Sequence, residues 1–312
     1  MVQEDFNLKD NAEWWVMRET FEDIDDLADY IKKTPPNKFF RNRGTLGSEK
    51  EKESDFNDFN SFKDAMYAME YGYGEHLEKV EKIMKKTREL VSKAMARKSS
   101  IKKDVAGFMP IVPNVIIGNP VNMFNQNIKP RKTPVCKLII EKAMLANMEV
   151  RHNIDYFSVL FALIQEIENR GIRCELWLCA SSEEGGSPRN EICIQKIKIK
   201  DAMQPINVYK LQFPIISADM FRRIFFRCKE VCPTMQNSDW NWGYGRTLIN
   251  QSRSHYNTDN EYRPNKGMQE ILDITDDYIY IPNVQDSGCK GKSTEETLQF
   301  FLEKTALKHY IS

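Results

Sequence analysis

Asn147, Glu149, Arg151, His152 and Asn153 bring amide, carboxylate, guanidinium and imidazole groups into one short stretch, the raw material of a polar contact surface. Nucleophilic catalysis would need a serine or cysteine beside an identifiable base. No such pair accompanies His152, which reads equally well as a capping or structural residue. A second group lies in Asp239-Trp240-Asn241-Trp242-Gly243-Tyr244-Gly245-Arg246. Trp240, Trp242, Tyr244 and Arg246 could stack on a base or anchor a protein interface, and the same rings could simply plug the end of a sheet. A third group is basic: Lys79, Lys82, Lys86 and Lys93 recur along one predicted helix. That stripe could follow phosphates, but Glu78, Glu81 and Glu89 are interspersed as on an ordinary solvated face.

Metal and phosphate chemistry find less to work with. Cys228 and Cys232 stand one helical turn apart without a second ligand pair, so no metal is expected, and nothing in the chain implies a cofactor. Gly185-Gly186 belongs to neither a GxGxxG fingerprint nor a P-loop with its lysine. The seven cysteines form no CxxC and mostly sit in apolar strand or helix patterns, which predicts reduced core residues in a cytoplasmic protein. Lysine plus arginine equals aspartate plus glutamate, 45 against 45, so no global field draws the chain to nucleic acid or to an anionic membrane, local patches aside. No segment approaches the roughly 20 apolar residues of a membrane span. The partner expected is therefore a protein, with nucleic acid as the alternative and no membrane.

These groups need a scaffold, and its centre is the stretch from Pro134 to Ser181. An apolar strand (Val135 to Ile140), an amphipathic helix and a second apolar strand (Cys174 to Ala180) follow one another. Ile154, Phe157, Leu160, Phe161, Ile164 and Ile167 recur at helical spacing, and Gly171 follows the last turn, where a left-handed C′ residue costs a glycine little. So long a connection suits a parallel pair, because antiparallel strands need only a short turn. Further strands are predicted over Glu191 to Lys200 with one wet face, over Asn207 to Phe213, and over Asp276 to Pro282. Met220, Ile224, Phe225, Cys228 and Val231 predict a helix after Ser217, and Ser293 with Glu296 forms a capping box for a closing helix.

Residues 1–103 read as a helical N-terminal region. Thr20 is the expected cap of a helix carrying Ile24, Leu27, Ala28 and Ile31, residues 37–57 form a flexible connector, and helices follow from Ser61 and from Glu75 to Lys98. Residues 104–128 are apolar and punctuated by proline, which predicts extended edge or covering segments rather than regular helix.

The succession DVAGFMPIVPNVIIGNPVNMF, CKLIIEKAM, HNIDYFSVLFALIQEIENRG, RCELWLCAS, INVYKLQF and ISADMFRRIFFRCKEV resembles an uncharacterised family of tailed-bacteriophage proteins. FEDIDDLADYI and SFKDAMYAMEYGY resemble that family's opening helices. The resemblance implies a von Willebrand factor A-like, Rossmann-like α/β domain over residues 104–312, with a mostly parallel sheet flanked by helices, as in Ro-type RNA-binding proteins. In such domains Asp-x-Ser-x-Ser supplies ligands to a magnesium ion. The corresponding loop here, Ala143 to Val150, has neither the aspartate nor the serines, so the metal function is expected to be absent. The expectation is a non-enzymatic interaction or assembly module of the host cytoplasm. A Ro-like nucleic-acid-binding protein using the basic helix and aromatic loop is the alternative, and an enzyme with scattered acids is a third reading.

Overall fold

A computed structural model describes residues 1–7, 14–41, 46–49, 58–94, 102–106, 109–125, 135–142, 148–184, 190–235, 256–257, 263–264 and 266–311. Two strands open the chain, β1 (Val2–Asn7) and β2 (Trp14–Phe21). Helices α1 (Ile24–Lys33), α2 (Lys38–Arg41), α3 (Phe62–Tyr71) and α4 (Leu77–Ala94) follow. A small lobe holds β3 (Lys102–Asp104), β4 (Met109–Pro110), α5 (Val112–Ile116) and β5 (Met123–Asn125). The central run is β6 (Val135–Glu141), α6 (Val150–Asn169), β7 (Arg173–Glu184) and β8 (Asn190–Lys200). Then come α7 (Val208–Ile216), a π-helical segment Met220–Phe225 running into α8 (Phe226–Val231), and the short pair β9 (Tyr256–Asn257) and β10 (Arg263–Pro264). The chain closes through α9 (Lys266–Leu272), β11 (Tyr278–Ile281), α10 (Thr294–Lys304) and α11 (Lys308–Ile311).

The main sheet has six strands in the order β1-β2-β8-β7-β6-β11. β6 runs parallel to both β7 and β11, and β2 runs parallel to β8; β1/β2 and β7/β8 are antiparallel. This is a mixed, mostly parallel Rossmann-like α/β architecture with helices on both faces. Alternation along the strands decides which face each side chain joins. Leu138, Ile140, Leu176 and Leu178 point into the large core with α6 and α7, while Ile139, Trp177 and Tyr280 meet Met268, Ile271 and Leu272 of α9 on the other side. The parallel β6–α6–β7 unit is as predicted, and Gly171 after α6 adopts φ 81°. Ser61 caps α3, and the Ser293–Glu296 capping box is formed at α10. All seven cysteines are buried free thiols.

Five expectations need correction. The N-terminal region is not helical throughout: Val16 and Met17 are buried on opposite faces of β2, which has sheet partners on both sides. Thr20 lies in β2, and the cap of α1 is Asp23, whose side chain accepts from Asp26 N at 2.8 Å. Asn207 to Phe213 is not a strand but the cap and body of α7; Tyr209 and Lys210 are exposed while Leu211, Phe213, Ile215 and Ile216 are buried, and so short a run does not separate a helical period from a strand's. β8 is covered on both faces rather than one, because α9 packs over Ile192 and Ile194 while α1 belongs to the core that takes Ile197 on the other side, and Lys196 survives there by carrying its ammonium out to Asp273 O at 2.8 Å. Finally, a short helix forms within the proline-rich segment, with Pro113 in its first turn, where a missing N–H costs nothing.

The described parts of the 37–57 connector are tied to the π-helical segment and α8. Asn37 donates to Cys232 O at 2.7 Å, and Ser48 offers its N–H and hydroxyl to Glu230 at 2.9 and 2.5 Å. Arg223 is central: it pairs with Asp219 at 2.7 Å and donates to the carbonyls of Ser48 and Phe59 at 3.2 and 3.0 Å. Asp219 in turn accepts from Asp58 N and Phe59 N. Arg223→Met strands the Asp219 charge in the core and is expected to lower unfolding stability by about 3–5 kcal/mol in urea titration. A loss under about 1 kcal/mol would show that the network does not hold the connector.

Candidate functional site

In open α/β sheets the carboxyl ends of the parallel strands form the natural binding crevice. Here that edge is made by the last residues of β6 and by the turn after β11. β6 ends in two charges on opposite sides of the strand, Glu141 and Lys142, exposed by only 2% and 1%. On one side the Glu141 carboxylate accepts from Tyr280 OH at 2.7 Å and Asn283 Nδ2 at 2.9 Å. Asn283 also donates to Asp286 at 2.5 Å, which brings a second carboxyl group to the site. On the other side Lys142 Nζ donates to Ile215 O at 2.6 Å and lies 5.7 Å from the centre of the Phe157 ring. Asn153, in the first turn of α6, closes this side by donating to Ile216 O at 2.9 Å.

Burial dominates the electrostatics. It pushes the Glu141 carboxyl up to about 8, with the nearby Asp286 charge adding to the rise and the Tyr280 and Asn283 hydrogen bonds opposing it. Burial brings the Lys142 ammonium down to about 7, against the pull of Asp58 and Asp219. Asp286 is raised as well, again by burial. Chemically the edge is a polar plug: its donors and acceptors satisfy one another, and its two strongest perturbations lie under the surface. Among the described residues, no group of three or more His, Cys, Asp or Glu is placed to hold a metal ion.

The residues singled out from sequence are scattered. Glu149 and Arg151 are exposed and pair with each other at 2.8 Å. His152 is half-buried at the start of α6, with its Cε1 facing Gly291 in the turn before α10. Asn147, Trp240, Trp242, Tyr244 and Arg246 lie outside the described residues, as does the side chain of Lys93. Lys79, Lys82 and Lys86 are exposed on α4, but Lys79 meets Asp155 of α6 at 3.5 Å and Lys86 meets Glu295 of α10 at 2.8 Å. Much of the basic stripe is thus paired within the chain. Sequence reasoning missed Glu141, Lys142, Asn283 and Asp286. The available signal was a charged pair closing an otherwise apolar central strand.

On the opposite side, a shallow cleft of about 710 Å³ lies between Phe6, Arg18, Gln269 and Glu270. Its arginine is committed to Glu4 at 2.9 Å and to the Glu270 carbonyl at 2.7 Å. No helix among the described residues is long and apolar enough to cross a membrane.

Residues 9–308 match the family described as Domain of unknown function (DUF7192). The chain belongs to that family. No curated protein and no solved structure matches it. The match runs from before β2 to the start of α11, so in this DUF7192 chain it takes in the N-terminal strand and helices as well as the central sheet.

The shifted carboxyl gives a pH signature. Glu141 is held protonated up to about 8 when folded, against 4.5 ordinarily, so the folded chain binds the extra proton in between. Stability from this group is full below its ordinary value and is lost as pH rises through the folded one. Between about pH 5 and pH 7 the loss is expected to reach about 3 kcal/mol. Glu141→Gln keeps an acceptor for Tyr280 and Asn283 but cannot ionise, and should flatten that slope in urea titrations across the interval. Part of the slope should survive, because burial also lifts Glu19 to about 7. An unchanged slope would mean that Glu141 ionises normally in the folded chain.

Proposed function

We propose that the chain is a non-enzymatic protein-interaction or assembly module, encoded by a tailed phage and acting in the host cytoplasm. In this reading its sheet is a von Willebrand A-like domain without a working metal site. The observation that carries the interaction reading is an aromatic patch on α3. Tyr67 and Tyr71, four residues apart, stack with ring centres 4.6 Å apart while 66% and 60% exposed. Tyr209, 46% exposed at the start of α7, lies against Gly72 and Gly74 in the turn after Tyr71. Gly72 has φ 101°, and a side chain at Gly74 would meet the Tyr209 ring at 2.7 Å, so both glycines permit the approach. Rigid, amphipathic tyrosines give large contact area at low entropic cost and recur at the centres of interfaces.

The non-enzymatic reading draws support from the sheet edge. Glu141 and Lys142 are shut away, and the Glu141 oxygen that an ion would need is taken by hydrogen-bond donors. The von Willebrand A-like reading draws on the sequence resemblance and on the edge where the parallel strands β6 and β11 end together. Phage origin and cellular location rest on the resemblance. The nucleic-acid alternative is weakened by the pairing of Lys79 and Lys86 with acids of the same chain.

The test is capture of the tagged protein from infected cells, with and without nuclease. A nuclease-resistant protein partner is expected, lost when Tyr67→Ala and Tyr71→Ala are combined. Because both rings are exposed, the double variant should stay within about 0.5 kcal/mol of the parent in unfolding stability. Recovery of nucleic acid instead, abolished by Lys82→Glu with Lys86→Glu, would replace this reading with the alternative.

A further inference from the structure

The small lobe between α4 and β6 presents a surface that the interaction reading does not use. Its strands pair only with one another, in the order β3-β5-β4, and α5 has no buried residue. Seven of the fourteen exposed large hydrophobic side chains among the described residues lie between Val105 and Val121. They include Ile116 and Ile117 at 78% and 75% exposure, with Val112 and Val115 beside them on α5. Such a concentration is far from the scattered single apolar residues of an ordinary surface.

Charge narrows what this surface meets. No charged residue occurs from Val105 to Ile128, in a chain that is 29% charged. Immediately outside that interval the sequence is strongly basic. KAMARKSSIKK (93–103) contributes five cations, two of them Lys102 and Lys103 of β3, and KPRK (129–132) contributes three; Asp104 is the single acid from 93 to 134. A chain with no net charge therefore carries an excess of seven positive charges, from eight cations and one acid, in the sequence that brackets this uncharged stretch.

Polar groups of the tip bond to one another. Asn114 Nδ2 donates to Val121 O at 2.8 Å, Asn119 Oδ1 accepts from Val121 N at 2.9 Å, and Ile111 N donates to Asn122 O at 2.7 Å. Internal satisfaction of backbone and amide groups is what hydrocarbon demands, since it offers no partners. The exposed side chains at the tip are aliphatic or thioether, without the tyrosine, tryptophan or arginine that mark protein hot spots. We infer that the 102–125 lobe is a peripheral membrane-binding element, whose tip around Ile116 and Ile117 enters an anionic lipid leaflet while Lys102 and Lys103 of β3 meet its headgroups.

This inference revises the sequence-based expectation of no membrane partner, which rested on overall charge and on the lack of a spanning segment. Neither bears on an uncharged tip between two basic segments. It also stands apart from the Tyr67–Tyr71 surface, so either can fail without the other.

The test is flotation of the purified full chain with vesicles of phosphatidylcholine alone or mixed with phosphatidylglycerol. Binding is expected to the mixed vesicles and to weaken with added salt, and Ile116→Asp with Ile117→Asp should reduce partitioning about tenfold or more. Lys102→Glu with Lys103→Glu should weaken binding to mixed vesicles only. Both pairs are compared with the parent by thermal unfolding, so that a misfolded variant is recognised. Failure of the folded parent to float with mixed vesicles at low salt would overturn the inference. So would equal binding by the folded Ile116→Asp/Ile117→Asp variant, which would reduce the effect to surface adhesion of cations. Capture of a protein through the tip, without vesicle binding by the parent, would assign the surface to a protein cleft and also overturn it.

Discussion

Helix α6 is apolar over more of its circumference than one face of a sheet can cover. Tyr156, Phe157, Val159, Leu160, Phe161, Leu163 and Ile164 are all buried, and they include neighbours that point in different directions. A helix of that kind must have a second layer outside it. The chain supplies that layer from both ends: α4 from the N-terminal region and α10 from the C-terminal region pack on α6, and α7 closes its flank. The ion pairs Lys79–Asp155 and Lys86–Glu295 are the solvent-side trim of the same packing. What looks in isolation like a phosphate-tracking stripe is in part the polar rim of a buried helix.

The core tolerates charge where the sheet ends. Glu141, Lys142, Glu19, Asp219 and Arg223 are all buried, and burial of an isolated charge is costly. The chain meets that cost in two ways. Asp219 and Arg223 remain a charged pair, each holding backbone groups of the connector, so their cost is offset by anchoring chain that has little apolar surface of its own. Glu141 and Lys142 are instead shifted towards their neutral forms and bound to neutral partners. The first arrangement fixes the fold of a segment, and the second seals the edge at which other α/β proteins open a pocket.

Zero net charge conceals this organisation. The excess positive charge lies in the sequence before and after the uncharged stretch 105–128, and the remainder of the chain is correspondingly acidic. The two exposed apolar surfaces also differ in kind: one is aromatic and framed by glycines on α3 and α7, the other aliphatic and framed by cations. Their chemistries suit the two different occupants proposed for them.

Local signals read reliably wherever one residue's geometry decides the outcome. Gly171 ended α6, Ser61 and Ser293 began α3 and α10, and the long connection between two apolar runs implied a parallel pair. Periodicity failed where the run was short. The stretch 207–213 spans too few residues to tell a helix from a strand, and Trp14 to Met17 lost its strand identity beside an acidic helix. The candidate site was the least legible part. Glu141 meets Tyr280 and Asn283 across about 140 residues of sequence, through pairing of β6 with β11 that no local pattern encodes. Sequence alone determined which segments are apolar, the start of α3 and α10 and the end of α6, and how charge is distributed along the chain. Only the tertiary structure decided which charges are buried and which apolar residues stay outside, because both depend on what the rest of the chain places on top of them.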